Sequence, residues 1–512
     1  MLRSLASSLA LCSLLVVGSL ALACDGPGAS TSPDAAATEP GQAHPGDPDG
    51  SVRLLLHDPS GRTGTSQACE VELCTSLLGL IEGAQTSVDF AVYGMRGQPE
   101  LLAALEAAKA RGVRVRGVVD RDVDGNNYYT STDELAARLG TVRDDRKVDS
   151  AAERGEAKRE RSNKFDAEPV CGRPEGFAGF VQCLAYDLGD RCLLAAHASR
   201  EPFGGSEDGD GDGGGKAFNQ IMHDKFFVID GRYLWTGSTN VSDSGTGGYN
   251  ANLVVVLDSP TVAGWYVTEL ERMWGEGQFH QTKPASGELR TKVGETEVAV
   301  YFSPQDKPMN DGIRPLLKRA RKRIDIGVFF LTHKAITKDL IDAQRRGVEV
   351  RVILDATAAK NGYTKHELLR AAGIPVKVEV WGGKMHMKSA AIDGEYVVAG
   401  SMNWTSAGEW TNDENTLILR DPALAGQYHA FFDQLWAGIP DTWATRNPDP
   451  ESRDSGSACT DGFDNDYDGL ADADDPGCGS NPPPLPELPP HWIVAKDKIT
   501  CQHPPGSTPP AK

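Results

Sequence analysis

The chain has 512 residues, 39% of them hydrophobic and 7% aromatic, which is enough for a sizeable core and for two to four domains. Its 72 acidic residues outnumber 52 basic ones, a formal net charge of −20. That surplus opposes non-specific binding to a polyanion, so nucleic acid is not the favoured substrate, although a local basic cleft can coexist with an acidic surface.

Residues 1–24 read as an export signal: Arg3 supplies the charged start, 5–22 is mostly apolar, and Ala21-Leu22-Ala23-Cys24 closes it. The closing residues look like a bacterial lipobox with Cys24 as the acylated residue, and simple cleavage after Ala23 is the alternative. An exported chain, membrane-anchored in the cell envelope or secreted, is therefore expected. Residues 25–50 carry Pro, Ala, Gly, Ser and Asp with few apolar side chains and read as a flexible tether.

Folded sequence begins with a predicted strand at 51–56, followed by a helix through Leu77–Ile81, a strand at 87–93, a helix at 100–110 and a strand at 113–120. The later half repeats the order, with strands at 297–302, 323–331 and 348–355 and helices at 313–322 and 336–345. Arg111-Gly112-Val113 matches Arg346-Gly347-Val348, and Asp120 matches Asp355. Strand and helix alternating at this spacing predict an α/β fold of two lobes. The expected division is an N-terminal lobe over 51–280, a C-terminal lobe over 281–440 and a tail over 441–512. From Gly140 to His223 is 83 residues, against 13 from Gly373 to His386, so the first lobe carries an insertion of 70 residues within about 141–215. Its position just before a candidate catalytic strand makes it a candidate lid over the site. Its run Gly204–Gly215 has the composition of a disordered segment.

The chemistry is carried by a repeat. His223, Lys225, Asp230 and Gly237-Ser238-Thr239-Asn240 recur as His386, Lys388, Asp393 and Gly400-Ser401-Met402-Asn403, at one offset of 163 residues. In a strand, residues i and i+2 share a face, so each His lies beside its Lys. An imidazole can be nucleophile or general acid, and an ammonium offers fixed charge to an oxyanion. Two such sets facing each other would surround one phosphate.

The repeat resembles the phospholipase D superfamily, whose HxKxxxxD plus GSxN motif occurs twice per chain, and the resemblance covers roughly residues 52–436. It implies two pseudo-symmetric lobes with the active site at their interface and a two-step phosphodiester displacement through a phosphohistidine. His223 is then the nucleophile and His386 the acid. Lys225, Lys388, Asn240 and Asn403 hold non-bridging oxygens, and Asp230 and Asp393 orient the imidazoles. Ser238, Ser401, Asn252, Glu414 and Asn415 stand behind these. Asn412-Asp413-Glu414-Asn415 is similar to the family pattern, whereas Asn250-Ala251-Asn252 places Ala251 where a Glu is often found. No cofactor is implied for catalysis, and a monomer is expected.

Beyond Cys12 and Cys24, eight cysteines remain, which in an exported chain suggests disulfides. Cys459–Cys478 is the expected pair, while Cys69, Cys74, Cys171, Cys183, Cys192 and Cys501 are left unassigned. Between Cys459 and Cys478 lie seven Asp and no basic residue. Asp464, Asp466, Asp468, Asp472 and Asp475 fall at calcium-loop positions 1, 3, 5, 9 and 12 around Gly469, so a structural calcium site is expected there, the alternative being a solvated acidic linker. Residues 479–512 are Pro-rich and expected to be extended.

Export, anchoring and acidity favour a phospholipid substrate over nucleic acid. The alternatives are an endonuclease of the same superfamily, a phosphatidyltransferase of the cardiolipin-synthase type, or a non-catalytic calcium-bound surface module.

Overall fold

The computed structural model describes residues 50–148, 220–361, 364–466 and 469–479, together with the backbone of helix Arg146–Ala151 and of strands Lys164–Asp166, Phe180–Asp187, Arg191–Ser199 and Trp492–Ala495. The signal, Cys24, the tether, the Gly204–Gly215 run, Asp468 and the side chains of Cys171, Cys183, Cys192 and Cys501 lie outside the described residues.

The first lobe is built on strands β1 (Ser51–His57), β2 (Ser87–Val92), β3 (Arg114–Val119), β4 (Val142–Asp144), β5 (Lys225–Ile229), β6 (Tyr233–Gly237) and β7 (Asn252–Asp258). They form one sheet in the order β1-β7-β6-β5-β2-β3-β4. The second lobe comprises β8 (Leu289–Val293), β9 (Thr296–Ser303), β10 (Arg323–Val328), β11 (Glu349–Leu354), β12 (Val376–Val378), β13 (Lys388–Ile392), β14 (Tyr396–Gly400) and β15 (Glu414–Arg420). Its order is β8-β9-β15-β14-β13-β10-β11-β12, so it repeats the first sheet strand for strand and adds β8 at one edge. In both sheets the last two pairings are parallel and the others antiparallel. The protein is thus an α/β fold of two pseudo-symmetric lobes.

β2 is buried along its whole length, and the carboxylate of Asp89 within it is paired with Arg114 and Arg116 of β3. Helix α1 (Pro260–Trp274) follows β7, and α2 (Pro422–Gly438) follows β15. Each begins with Pro and is capped by the residue before it: Ser259 Oγ accepts from Val262 N, and Asp421 from Ala423 N and Leu424 N. Both helices contribute to an apolar cluster shared by the lobes, through Val262, Tyr266 and Leu270 from α1 and Tyr428, Phe432 and Leu435 from α2. Tyr266 stacks edge-on between Phe226 of the first lobe and Phe302 of the second, with centroids 5.0 Å apart on both sides. A cluster spanning both sheets fixes one lobe against the other, and the site is built on that fixed relation.

The described strands of the insertion form an antiparallel sheet, and Trp492–Ala495 from the tail adds to its edge. This sheet lies against helix His366–Ala371 of the second lobe. Among the described residues no helix is long and apolar enough to cross a membrane.

Candidate active site

The HxK sequences reach the lobe interface by crossing to each other's lobe. Asp413 N donates to Ile221 O at 3.0 Å and Asp413 O accepts from His223 N at 2.9 Å; Ala251 N donates to Lys384 O at 2.8 Å and Ala251 O accepts from His386 N at 2.9 Å. Met222 and Met385 between them are buried, and their amides are held by buried carboxylates: Asp120 Oδ1 at 2.9 Å and Asp355 Oδ2 at 3.0 Å. Both Asp were visible in the sequence as matching residues, without a role. The two His precede their strands, which begin at the Lys.

His223, Lys225, His386 and Lys388 are all buried. Each ammonium donates to the carbonyl of the His two residues earlier, at 2.9 Å for Lys225 and 2.7 Å for Lys388. Aromatic rings flank both pairs. Tyr93 lies 5.6 Å from the His223 ring and 6.0 Å from Lys225 Nζ, and Phe329 lies 5.2 Å from the His386 ring and 4.9 Å from Lys388 Nζ. Burial, then Lys225, Lys388 and the other imidazole, push the His223 imidazolium well below the ordinary histidine range. Burial, Lys388 and Lys225 do the same to His386. Each His thus feels both lysines, and the four groups form one electropositive set. Asn240 and Asn403 are buried as well, and their Oδ1 atoms have no hydrogen-bond partner among the described residues.

The imidazoles differ in what holds their Nδ1 atoms. His223 Nδ1 meets Glu414 at 2.8 and 2.9 Å, whereas His386 Nδ1 meets Asn252 Oδ1 at 3.2 Å. Ser401 Oγ donates to Glu414 Oε2 at 2.6 Å and Ser238 Oγ donates to Asn252 Oδ1 at 2.8 Å. Glu414 and Asn252 are therefore equivalent, at an offset of 162 residues and not 163. This corrects the sequence alignment: Asn252, not Ala251, stands in place of the Glu, and Ala251 is the counterpart of Asp413. The first copy carries one residue more between Asn240 and Asn252 than the second does between Asn403 and Glu414. Ser259-Pro260 and Asp421-Pro422, also 162 apart, carried the signal. Gly237 and Gly400 confirm the register, since a Cβ there would lie 2.1 Å from Leu253 O and 2.2 Å from Asn415 O.

A second correction concerns Asp230 and Asp393, which do not touch the imidazoles. They sit at the far ends of β5 and β13, in Asp-Gly hairpin turns where both residues have positive φ. Asp230 accepts from the amides of Gln85, Thr86 and Ser87, and Asp393 from those of Arg321, Lys322 and Arg323. Each fastens the start of the neighbouring strand, so the Asp of the motif is a framework residue. Asn415 likewise turns away from the site, donating to Asp224 Oδ1 at 3.0 Å and accepting from Thr236 and Tyr266.

Beneath His223 lies a charge cluster that the sequence reading missed. Asp413 is bound by Lys283 Nζ at 2.7 Å and by His280 N at 2.7 Å, and Lys283 also pairs with Glu269. All three ionic groups are buried, where removing one partner would leave a charge costing several kcal/mol. The linker between the lobes thereby secures the strand end that carries Glu414.

Cys459–Cys478 is a disulfide, as is Cys69–Cys74. In the tail, carboxylate oxygens of Asp464, Asp466 and Glu451 lie within 4.8 Å of one another, a set of hard oxygen donors suited to calcium, though Lys360 already pairs with Asp466. Glu451 was not foreseen. Asp472 and Asp475 instead accept backbone N–H groups, from Asp461 and Gly462 and from Gly477.

Residues 211–274 and 313–436 match the family model described as cardiolipin synthase, PLD-like domain. Over 192 residues the chain is 36% identical to a mitochondrial cardiolipin hydrolase of Chlamydomonas reinhardtii, a match covering 33% of this chain and 85% of that protein. The chain belongs to the phospholipase D superfamily. It is also 32% identical over 138 residues to a phospholipase D of Rickettsia bellii (strain RML369-C), covering 27% of this chain and 68% of that one. Among solved structures, phosphatidylserine synthase of Haemophilus influenzae Rd KW20 aligns over 75% of this chain and 85% of its own, with 12% identity and a TM-score of 0.46.

Proposed function

We propose that this phospholipase D superfamily member is a phosphodiesterase that hydrolyses phospholipid head-group bonds. The observation that carries the reading is the convergence of two HxK sets on one interface, with His223 alone tied to a carboxylate. Glu414 holds the proton on His223 Nδ1, which leaves the Nε2 lone pair for attack on phosphorus. The P–N bond forms as the P–O bond to the head group breaks, and His386, which takes up a proton once the anionic phosphate offsets the charges of Lys388 and Lys225, gives that proton to the departing alkoxide. His386 then takes a proton from water, whose oxygen attacks phosphorus and breaks the P–N bond. The products are the phosphate monoester and the free imidazole. Lys225, Lys388, Asn240 and Asn403 oppose the negative charge that grows on the non-bridging oxygens.

The net charge of −20 and the expected anchor at Cys24 support a lipid over a nucleic acid. Tail calcium through Asp464, Asp466 and Glu451 belongs to the same reading as a structural feature: it should raise the protease resistance of the tail in full-length protein and leave turnover unchanged. The deciding experiment assays head-group release from phosphatidylcholine and cardiolipin vesicles beside plasmid nicking, all with chelator present. Wild type and Cys24→Ala are also fractionated into membrane and soluble pools. Lipid cleavage by a membrane-bound wild type supports the reading. Nicking with intact lipid replaces it by an endonuclease, and exchange of head groups without hydrolysis replaces it by a transferase.

A further inference from the structure

The Asp-rich tail is not a solvated linker: Glu451, Ser455, Ala458 and Asn465 are buried. What buries them is the rim of the His386 side of the site. Tyr249 OH donates to Asp461 Oδ2 at 2.6 Å and meets Ser457 Oγ at 2.7 Å. Lys384 Nζ donates to Asn465 O, and Thr357 Oγ1 donates to the same carbonyl at 2.8 Å. Within the tail, Asn465 Nδ2 donates to Asp461 Oδ2 at 3.0 Å, closing a path from Tyr249 through Asp461 and Asn465 to Lys384. The backbone admits this approach through Gly382, where a Cβ would lie 2.0 Å from Tyr249 OH and 2.6 Å from Ser457 Oγ.

The two segments gripped in this way are the ones that carry the Asn252–His386 hydrogen bond. Tyr249 is three residues before Asn252 and Lys384 two before His386. They are joined by Ala251 N to Lys384 O and by Lys384 N to Asn250 Oδ1 at 2.9 Å. On the Glu414 side it is the linker that holds the backbone beside the imidazole, through His280 N and Lys283 Nζ on Asp413.

We infer that the disulfide-closed tail module positions the acid side of the catalytic pair, with Tyr249 and Lys384 as the residues through which it acts. The inference rests on the phosphodiesterase reading given above, and it adds a part of the chain that the matched family segment does not include. His386 faces Lys388, Lys225, Lys384 and His223, while Lys384 in turn faces the buried carboxyls of Asp355 and Glu379. Loss of the Lys384 charge therefore loosens the His386 segment and raises the His386 pKa together.

The test uses full-length Tyr249→Phe, Lys384→Met and Lys384→Arg, on two esters and with one readout that needs no turnover. Release of choline from phosphatidylcholine needs an acid, whereas the burst of p-nitrophenolate from a p-nitrophenyl phosphodiester does not. Tyr249→Phe and Lys384→Met should lower kcat on phosphatidylcholine by about tenfold, as expected for a misplaced acid, with the burst rate within about twofold of wild type. Lys384→Arg should retain most of the activity. By NMR, Lys384→Met should move the His386 titration upward and leave His223 in place. Equal losses on choline release and burst, or an unmoved His386 titration, would overturn the inference. If wild type turns over neither ester, the phosphodiesterase reading fails, and the His386 titration still decides whether the module acts on this imidazole.

Discussion

His223 and Glu414 are 191 residues apart and belong to opposite lobes, yet the imidazole Nδ1 lies within 2.9 Å of both carboxylate oxygens. The equivalent pair, His386 and Asn252, offers only an amide oxygen. A carboxylate stabilises an imidazole that becomes positive as it bonds to phosphorus, and an amide does so much less. Glu414→Gln should therefore lower kcat by about 10²-fold or more with little change in KM, whereas Asn252→Asp should change kcat by less than about tenfold. Steady-state kinetics on the same phosphodiester would decide it. Equal effects of the two substitutions would show that the asymmetry is without consequence.

The same asymmetry assigns the covalent step. With a p-nitrophenyl phosphodiester, His223→Asn should give no burst and no trapped phosphoenzyme. His386→Asn should give a burst and accumulate the intermediate, because the leaving group needs no acid and the base for hydrolysis is gone. Acid-quenched protein examined by mass spectrometry reads both outcomes, and accumulation in the His223 variant reverses the roles.

Much of this arrangement was legible in the chain. The paired motifs and the repeated order of strands and helices gave the two lobes, because each lobe is a local α/β unit whose pattern survives in the hydrophobic periodicity. What could not be read was which residue meets which across the interface. Asp230 and Asp393 share the spacing of the motif with His and Lys, but spacing along a strand does not reveal which end faces the site. A fixed offset also hid the extra residue before Asn252, since nothing local to Ala251 marks it. Lys283 and His280 lie in a linker with no motif, and their role arises only when the lobes pack. Tail contacts with Tyr249 and Lys384 are invisible for the same reason.

If Asp230 and Asp393 are clamps on the neighbouring strand, their removal should cost stability and spare chemistry. Burial disfavours the Asp230 carboxylate, but the amides of Ser87, Thr86 and Gln85 outweigh that and hold its pKa below the ordinary value. Its contribution is therefore present above the unfolded pKa of about 3.9 and is lost as pH falls below it. Asp230→Asn should lower unfolding stability at pH 7 by about 1–3 kcal/mol with kcat within about twofold. Urea titrations should show the gap from wild type closing below about pH 4. A large loss of kcat in a stably folded variant would return this Asp to the catalytic set.

His333 provides a pH dependence of opposite origin. It is buried at the start of helix Lys334–Arg345, where its Nδ1 accepts the Ile336 N–H at 3.3 Å, so that nitrogen must carry no proton. Burial, with Arg314 and Lys365 nearby, pushes its pKa down to about 3. The backbone N–H of His333 donates to Trp404 O at 2.9 Å, next in the chain to Asn403. The unfolded chain takes up a proton below about pH 6.5 that the folded protein refuses until about pH 3, so stability falls with pH through that window by up to about 1.4 kcal/mol per unit. His333→Asn keeps a capping side chain and does not titrate. The difference in urea-unfolding stability between the variant and wild type should therefore grow in the variant's favour from pH 6.5 towards pH 4. His223 and His386, also held low, are present in both proteins and cancel from the difference. A gap that stays constant over that range would mean that His333 titrates in the folded protein as it does in the unfolded chain.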